Sequence, residues 1–328
     1  MTTRIWNLPQ IELKSLSELE EARPVAMIYS SAALAAISDR LHLPVVWQAE
    51  VLEAVDSHWE HISSGLEGEI VYAVGGGLAA DAAKYVAARR QLPLVCIPTA
   101  LSVDAFLTWA SGVRREGCVY YIDTKPADRL VVDFAVLAAA PKSLRAAGIC
   151  DVLSIATGLW DWHLADQRGE NPPEMAYVAY IDQAAWAILQ GALECAEAAG
   201  RGDRDGLKQL LDCLALEVQL CNLIGHARPE EGSEHYFAYC VENALGKGMS
   251  HGDLVGPGIV LMAEFQGQNT GPLRRALRAC NIDLTRIPEE VIRATLRALP
   301  AYVRQHRLPY GIAHELTDEY MGPLPSLD

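Results

Sequence analysis

The segment EIVYAVGGGLAADAAKYVAARR, residues 69–90, holds a strand, a turn and a helix in one run. Glu69–Val74 is short, β-branched and aromatic, as a buried strand is, and it stops at Gly75-Gly76-Gly77. The Ala-rich stretch that follows has helix-forming composition. Working outward, Val25–Tyr29 and Pro44–Trp47 read as strands upstream, with helical stretches after each, the second at Val51–Ile62. Downstream, Leu92–Ile97, Val119–Ile122 and Arg129–Asp133 read as further strands. Strands alternating with helices predict a parallel, Rossmann-like sheet with right-handed crossovers. From Val136 to about His226 the apolar residues recur at helical spacing, with Gly and Pro as punctuation. The expected fold is therefore an α/β N-terminal domain over residues 1–140 and an all-α C-terminal domain over 141–328.

Composition narrows the function. The chain of 328 residues is 51% hydrophobic, enough for a large core, and carries 27 Lys+Arg against 42 Asp+Glu, a net charge of −15. Such an excess of acids argues against nucleic acid or an anionic membrane as partner, because both require a basic footprint. No apolar run reaches the ~18 residues of a membrane span. The eight cysteines form no CxxC pair and read as reduced, buried small hydrophobes. The expectation is a cytoplasmic enzyme with a small-molecule substrate, no nucleic acid, no membrane insertion, and assembly as a homo-oligomer.

Two groups of residues carry chemistry. Glycines at a strand-to-helix turn allow close backbone approach, and the free N–H groups of a helix start attract phosphate. Gly75, Gly76 and Gly77, with Asp81 and Lys84 in the helix, make such a place, although the GxGxxG spacing of dinucleotide folds is absent. The next strand runs into Thr99, Ser102 and Asp104, a second strand end at the edge where open parallel sheets bind ligands. A tight turn without ligand and a loop-capping Asp are the bland readings. Farther along, Asp151, His235 and His251 each lie beside a glycine or a capping residue. One carboxylate and two imidazoles suit Zn²⁺ or a similar Lewis-acidic ion with open positions. Against this, a lone histidine is more often structural.

The motifs AVGGGLAADAAK, IPTALSVDAF, AAGICDVLSIATGLWDWHLA, HARPEEGSEHYF and SHGDLVGPG resemble, in order and spacing, those of the glycerol-1-phosphate dehydrogenases. These belong to the iron-containing alcohol dehydrogenase and glycerol dehydrogenase superfamily, which includes the dehydroquinate synthases. The resemblance implies a dehydroquinate synthase-like fold with its site between the two domains. It puts Gly75, Gly76, Gly77, Asp81, Lys84, Thr99, Ser102 and Thr108 at cofactor positions for NAD or NADP, and Asp104 at the substrate side. Asp151, His235 and His251 match the metal positions, for Zn²⁺ with Ni²⁺ or Fe²⁺ as alternatives, and these three with Asp104 form the catalytic set. The implied reaction interconverts dihydroxyacetone phosphate and sn-glycerol 1-phosphate.

Three positions depart from that family pattern. Val103 replaces a histidine, Tyr239 replaces a second histidine four residues after His235, and Glu230-Glu231 replace small residues. A Pro-Glu-Glu-Gly turn is expected to point its acids to solvent, with Arg228, Lys247, Arg304 and Arg307 available to offset them. Were the acids turned inward, they would repel a phosphate and favour an unphosphorylated, or amine-bearing, polyol or ketone. The rival functions are a cyclase-type lyase, separated by net NADH turnover, and a non-catalytic binding protein, separated by metal content.

Overall fold

The computed structural model describes residues 4–246, 248–317 and 326–327. Eight strands occur among them: β1 (Gln10–Leu13), β2 (Val25–Tyr29), β3 (Val45–Glu50), β4 (Ile70–Gly75), β5 (Leu94–Pro98), β6 (Ala110–Arg115), β7 (Cys118–Asp123) and β8 (Arg129–Val132). Helices α1 (Ser31–Ile37), α2 (Asp56–Ser64) and α3 (Gly77–Arg90) lie between the early strands. Past β8 the chain is helical: α4 (Phe134–Ala139), α5 (Lys142–Arg145), α6 (Ile149–Leu153), α7 (Ile155–Arg168), α8 (Ala179–Arg201) and α9 (Arg204–Ile224). It continues with α10 (Ser233–Leu245), α11 (His251–Phe265), α12 (Gly271–Ala279) and α13 (Glu289–Gln305).

Six strands form one sheet in the order β1-β8-β5-β4-β2-β3, every neighbouring pair parallel. The apolar run of β4 is continuous because both faces are covered. Val71 and Ala73 join the core that extends into the second half of the chain through Leu137, Ile149 and Phe237, while Ile70, Tyr72 and Val74 pack in a smaller cluster on the other face. The strand order reverses between β2 and β4, a switch point of the kind where open sheets leave a ligand crevice.

The outline agrees with the sequence reading, with corrections. Val119–Ile122 does fall in a strand, but that strand, β7, pairs antiparallel with β6 in a separate hairpin. The helix expected from Val51 begins at Asp56, and β3 runs on to Glu50. Strand β1 has no clear local signal; it exists because β8 templates it, and Arg129 pairs with Glu12 across the register at 2.6 Å.

Glycine decides two geometries. Gly75 has φ of 143°, open only to a residue without a side chain, and this turns β4 into α3. In α11, a Cβ on Gly258 would lie 2.6 Å from the carbonyl oxygen of Glu234, so α11 rests directly on α10. That contact brings the helix beginning at His251 alongside the one holding His235.

Candidate metal centre and its acidic surroundings

Asp151, His235 and His251, far apart in sequence, offer ligand atoms within 4.8 Å of one another. Asp151 comes from the short helix α6, His235 from the first turn of α10, and His251 is the first residue of α11. Asp151 Oδ1 lies 2.7 Å from His251 Nε2 and 3.8 Å from His235 Nε2. Donor atoms held about 2.1 Å from a tetrahedral zinc stand roughly 3.4 Å apart, so small side-chain adjustments bring this trio onto one ion.

Neighbouring groups fix the trio. Glu234 is fully buried, and its Oε1 lies 2.9 Å from His235 Nδ1 while accepting a 2.6 Å bond from the Gly232 N–H. A carboxylate behind a ligating imidazole sets its tautomer and aims the other nitrogen at the metal. The backbone N–H of Asp104 donates to Asp151 Oδ2 at 3.0 Å, leaving Oδ1 for the histidines. Burial opposes charge on His235, but its bonds to Asp151 and Glu234 outweigh that and hold its pKa well above the ordinary value. Burial likewise pushes Asp151 up, yet the two histidines hold it below the usual carboxylate range. The donor types, spacing and supporting carboxylate all fit a divalent ion.

The centre lies beside the crevice. The N-terminus of α3 begins after Gly76, which has no side-chain cap, and a Cβ there would touch Ser102 Oγ at 3.0 Å. Ser102 leads directly to Asp104 and so to Asp151. Thr99 is half-buried just past the end of β5. Asp81, Lys84 and Thr108, the other expected cofactor-side residues, are bonded to one another. Lys84 is fully buried, with its ammonium 2.9 Å from Asp81 Oδ1, 2.8 Å from Thr108 Oγ1, and bonded to the Ala110 carbonyl. A buried ammonium must fill its three donor positions, and here it does so within the protein, tying α3 to β6.

The Glu230-Glu231 turn corrects the sequence expectation most plainly. Glu230 is buried, and Glu231 is half-buried with Oε1 accepting a 2.9 Å bond from the Tyr239 hydroxyl. Burial and the nearby Glu231 push Tyr239 well above the ordinary phenol range, so it serves as a donor rather than a base. Asp104, Glu217 and Glu230 gather into a second group within 4.8 Å of one another. Burial first, then repulsion from Asp151, pushes the Asp104 carboxyl up to about 8, and Glu217 and Glu230 are also raised by burial and by neighbouring acids. Of the basic residues available to offset them, Arg228 is buried with Nη2 on the Tyr310 carbonyl at 2.7 Å. Arg304 is spent on the Pro300 and His314 carbonyls, Arg307 is exposed, and Lys247 lies outside the described residues.

Two members of the site, Glu217 and Glu234, escaped the sequence reading. Glu217 did leave a signal: it falls on the apolar stripe of α9 with Leu210, Leu214, Val218 and Cys221. Glu234 resembles any first-turn acid that complements a helix dipole, so only the fold reveals its bond to His235. Asp161, within the AAGICDVLSIATGLWDWHLA motif, is structural. It accepts from Ser233 N and Oγ, from Ile312 N and from Gln266 Nε2, clamping the start of α10.

Comparison with known proteins finds relatives both by sequence and by fold. Residues 17–141 match the family model described as iron-containing alcohol dehydrogenase. The chain is 32% identical over 238 residues to the glycerol-1-phosphate dehydrogenase [NAD(P)+] of Sulfurisphaera tokodaii, covering 71% of this chain and 67% of that protein. To the enzyme of the same name from Saccharolobus islandicus it is 29% identical over 292 residues, 85% of this chain and 82% of that one. Among solved structures, a probable glycerol dehydrogenase from Sinorhizobium meliloti aligns with TM-score 0.71 at 18% identity, over 99% of this chain and 95% of that one. A sulfoacetaldehyde reductase from Bifidobacterium kashiwanohense in complex with NAD+ aligns with TM-score 0.64 at 16% identity, over 98% and 97%. No helix among the described residues is long and apolar enough to cross a membrane.

Proposed function

This chain belongs to the glycerol-1-phosphate dehydrogenase family of iron-containing alcohol dehydrogenases, and on that premise we propose that it interconverts a small ketone and a secondary alcohol at Asp151, His235 and His251. The observation that carries the proposal is the convergence of those three side chains next to the loop that leads from Ser102 to Asp104, beyond the glycine turn. Residues 1–140 would hold the nicotinamide cofactor, NAD or NADP, and the free N–H groups at the start of α3 would supply donors for its phosphates. Residues 141–328 supply the metal and substrate groups.

Asp151, His235 and His251 would hold one divalent ion, zinc in first place, which supplies Lewis acidity to the substrate oxygen. Glu234 keeps His235 Nε2 pointed at that place, and the Asp104 N–H keeps Asp151 turned toward it. The Asp104 carboxyl stands on the half-buried loop and accepts a hydrogen bond from the substrate. A bound nicotinamide would supply the hydride donor and acceptor chemistry for the carbinol carbon.

The relatives' names nominate dihydroxyacetone phosphate and sn-glycerol 1-phosphate as the first pair to test. A second reading is favoured by Glu230 and Glu231. At about 6 Å and an effective dielectric of 20, each acid facing a phosphate charge costs about 3 kcal/mol, which supports an unphosphorylated ketone. The test is a reduction screen with NADH and NADPH, each with Zn²⁺, Ni²⁺ or Fe²⁺, over dihydroxyacetone phosphate, dihydroxyacetone and related ketones. Metal-dependent oxidation of cofactor supports the proposal, and no turnover of any ketone under any metal refutes it. A Glu231→Ser variant that improves KM for the phosphorylated ketone places that carboxylate against the substrate.

A further inference from the structure

The second acidic group differs from an ordinary surface cluster in its burial and in its lack of partners. Asp104 comes from the loop after β5, Glu217 from the middle of α9, and Glu230 from the turn before α10. Glu217 is 1% exposed and Glu230 9%. Among the described residues neither oxygen of Glu217 has a hydrogen-bond partner, and Glu230 Oε2 has none either. Buried polar atoms in folded proteins are nearly always paired, because a dry, unpaired carboxylate is costly. Three orphaned oxygens in one enclosed place therefore call for a cation. Among the described residues, Lys84 is engaged on Asp81 and Thr108, and Arg228 gives its Nη2 to the Tyr310 carbonyl while its buried Nε and Nη1 bond to none of the three carboxyls.

We propose that Asp104, Glu217 and Glu230 form a subsite for a protonated amine, so that the alcohol or ketone turned over here carries an ammonium group. The inference rests on the oxidoreductase reading above and adds the charge of the substrate. An ammonium has three N–H donors and no acceptor, matching acceptors that approach from three segments of chain. Hydrogen bonds between ionised partners are the strong class, and a neutral hydroxyl in the same place gains none of that strength. Asp104 links the two groups of ligands, its N–H holding Asp151 while its carboxylate faces Glu217 and Glu230. The amine therefore docks beside the reacting carbon. A hard divalent ion is the competing occupant, but the trio of Asp104, Glu217 and Glu230 shares no ligand with that of Asp151, His235 and His251, unlike paired ions bridged by a common carboxylate.

The test uses the zinc-loaded enzyme with NAD+ or NADP+ and compares 3-amino-1,2-propanediol, glycerol and sn-glycerol 1-phosphate, by calorimetric binding and by reduction of the cofactor. Oxidation moves a hydride from the secondary carbon to the nicotinamide and releases the hydroxyl proton to buffer. The expected kcat/KM for the amino diol exceeds that for glycerol by about tenfold or more, the worth of one charged hydrogen bond. Glu217→Gln and Glu230→Gln are expected to reduce that ratio about tenfold, and Glu217→Met, which fills the same space without polar atoms, serves if either variant folds poorly. Preference for sn-glycerol 1-phosphate, or an amine-to-glycerol ratio unmoved in folded variants, overturns the inference. So does a second equivalent of Zn²⁺ or Mn²⁺ bound by the parent protein and lost in Glu217→Gln. Absence of any turnover sinks the oxidoreductase reading instead, and calorimetric binding of the amino diol still decides the subsite.

Discussion

Replacing Glu234 by alanine isolates the contribution of a residue that never touches the ion. Its Oε1 is 2.9 Å from His235 Nδ1 and 2.6 Å from the Gly232 nitrogen, and the side chain is fully buried. Alanine frees the imidazole to rotate and removes the charge that raises its basicity. Loss of a carboxylate in this supporting position costs 10–100-fold in metal affinity, or about 1.4–2.7 kcal/mol. It also strands the Gly232 N–H, for about 1–3 kcal/mol of stability. Glu234→Gln keeps an acceptor but not the charge, so its affinity loss is expected to be smaller than that of alanine. Competition for Zn²⁺ against a coloured chelator at fixed pH measures the affinity, and a thermal melt of the metal-free protein measures the stability. A folded Glu234→Ala protein that binds zinc as the parent does refutes the reasoning, because His235 would then need no support.

Asp151→Ala and His251→Ala are expected to abolish metal binding and turnover while leaving the NAD(P) dissociation constant near that of the parent; metal content and cofactor fluorescence check both. Asp161→Ala removes an acceptor shared by Ser233, Ile312 and Gln266 and is expected to cost about 3–5 kcal/mol, read as a lowered urea midpoint. His226 and His314 each contribute acid sensitivity, both lowered from 6.5 to about 4, by burial first and then by nearby arginines. Between those pH values the unfolded chain binds protons that the folded chain refuses, so stability present above pH 6.5 is lost as the pH falls toward 4. Asp161, raised by burial to about 6, acts in the opposite sense, the folded form binding its proton first. Asp104, Glu217 and Glu230 are raised as well and act with Asp161. The histidine contribution is therefore read by difference: between pH 7 and 5 the urea midpoint of His314→Gln should fall less, or rise more, on acidification than that of the parent, and an unchanged slope refutes the assignment.

The sequence by itself determined what is written locally. Strand β4, the glycine turn and helix α3 follow from composition and periodicity within one run of residues, and so does the helical texture past residue 136. The pairing of Asp151 with His235 and His251 was legible as a set of ligand types, though not as a geometry. Strand β1 was not legible, because its four residues, Gln10–Leu13, gain their conformation from hydrogen bonds to β8, more than a hundred residues away. The orientation of Glu230 and Glu231 was decided in the same way. A Pro-Glu-Glu-Gly turn has no preference of its own for core or solvent, and what turns it inward is the packing of α7, α9 and α10 around it. Glu217 shows the boundary between the two kinds of information: its place on an apolar stripe is periodic and readable, but its convergence with Asp104 and Glu230 exists only once three distant segments have packed together. Local preference sets which element forms, while the charge that lines the cleft is set by which side chains the assembled core leaves no route to water.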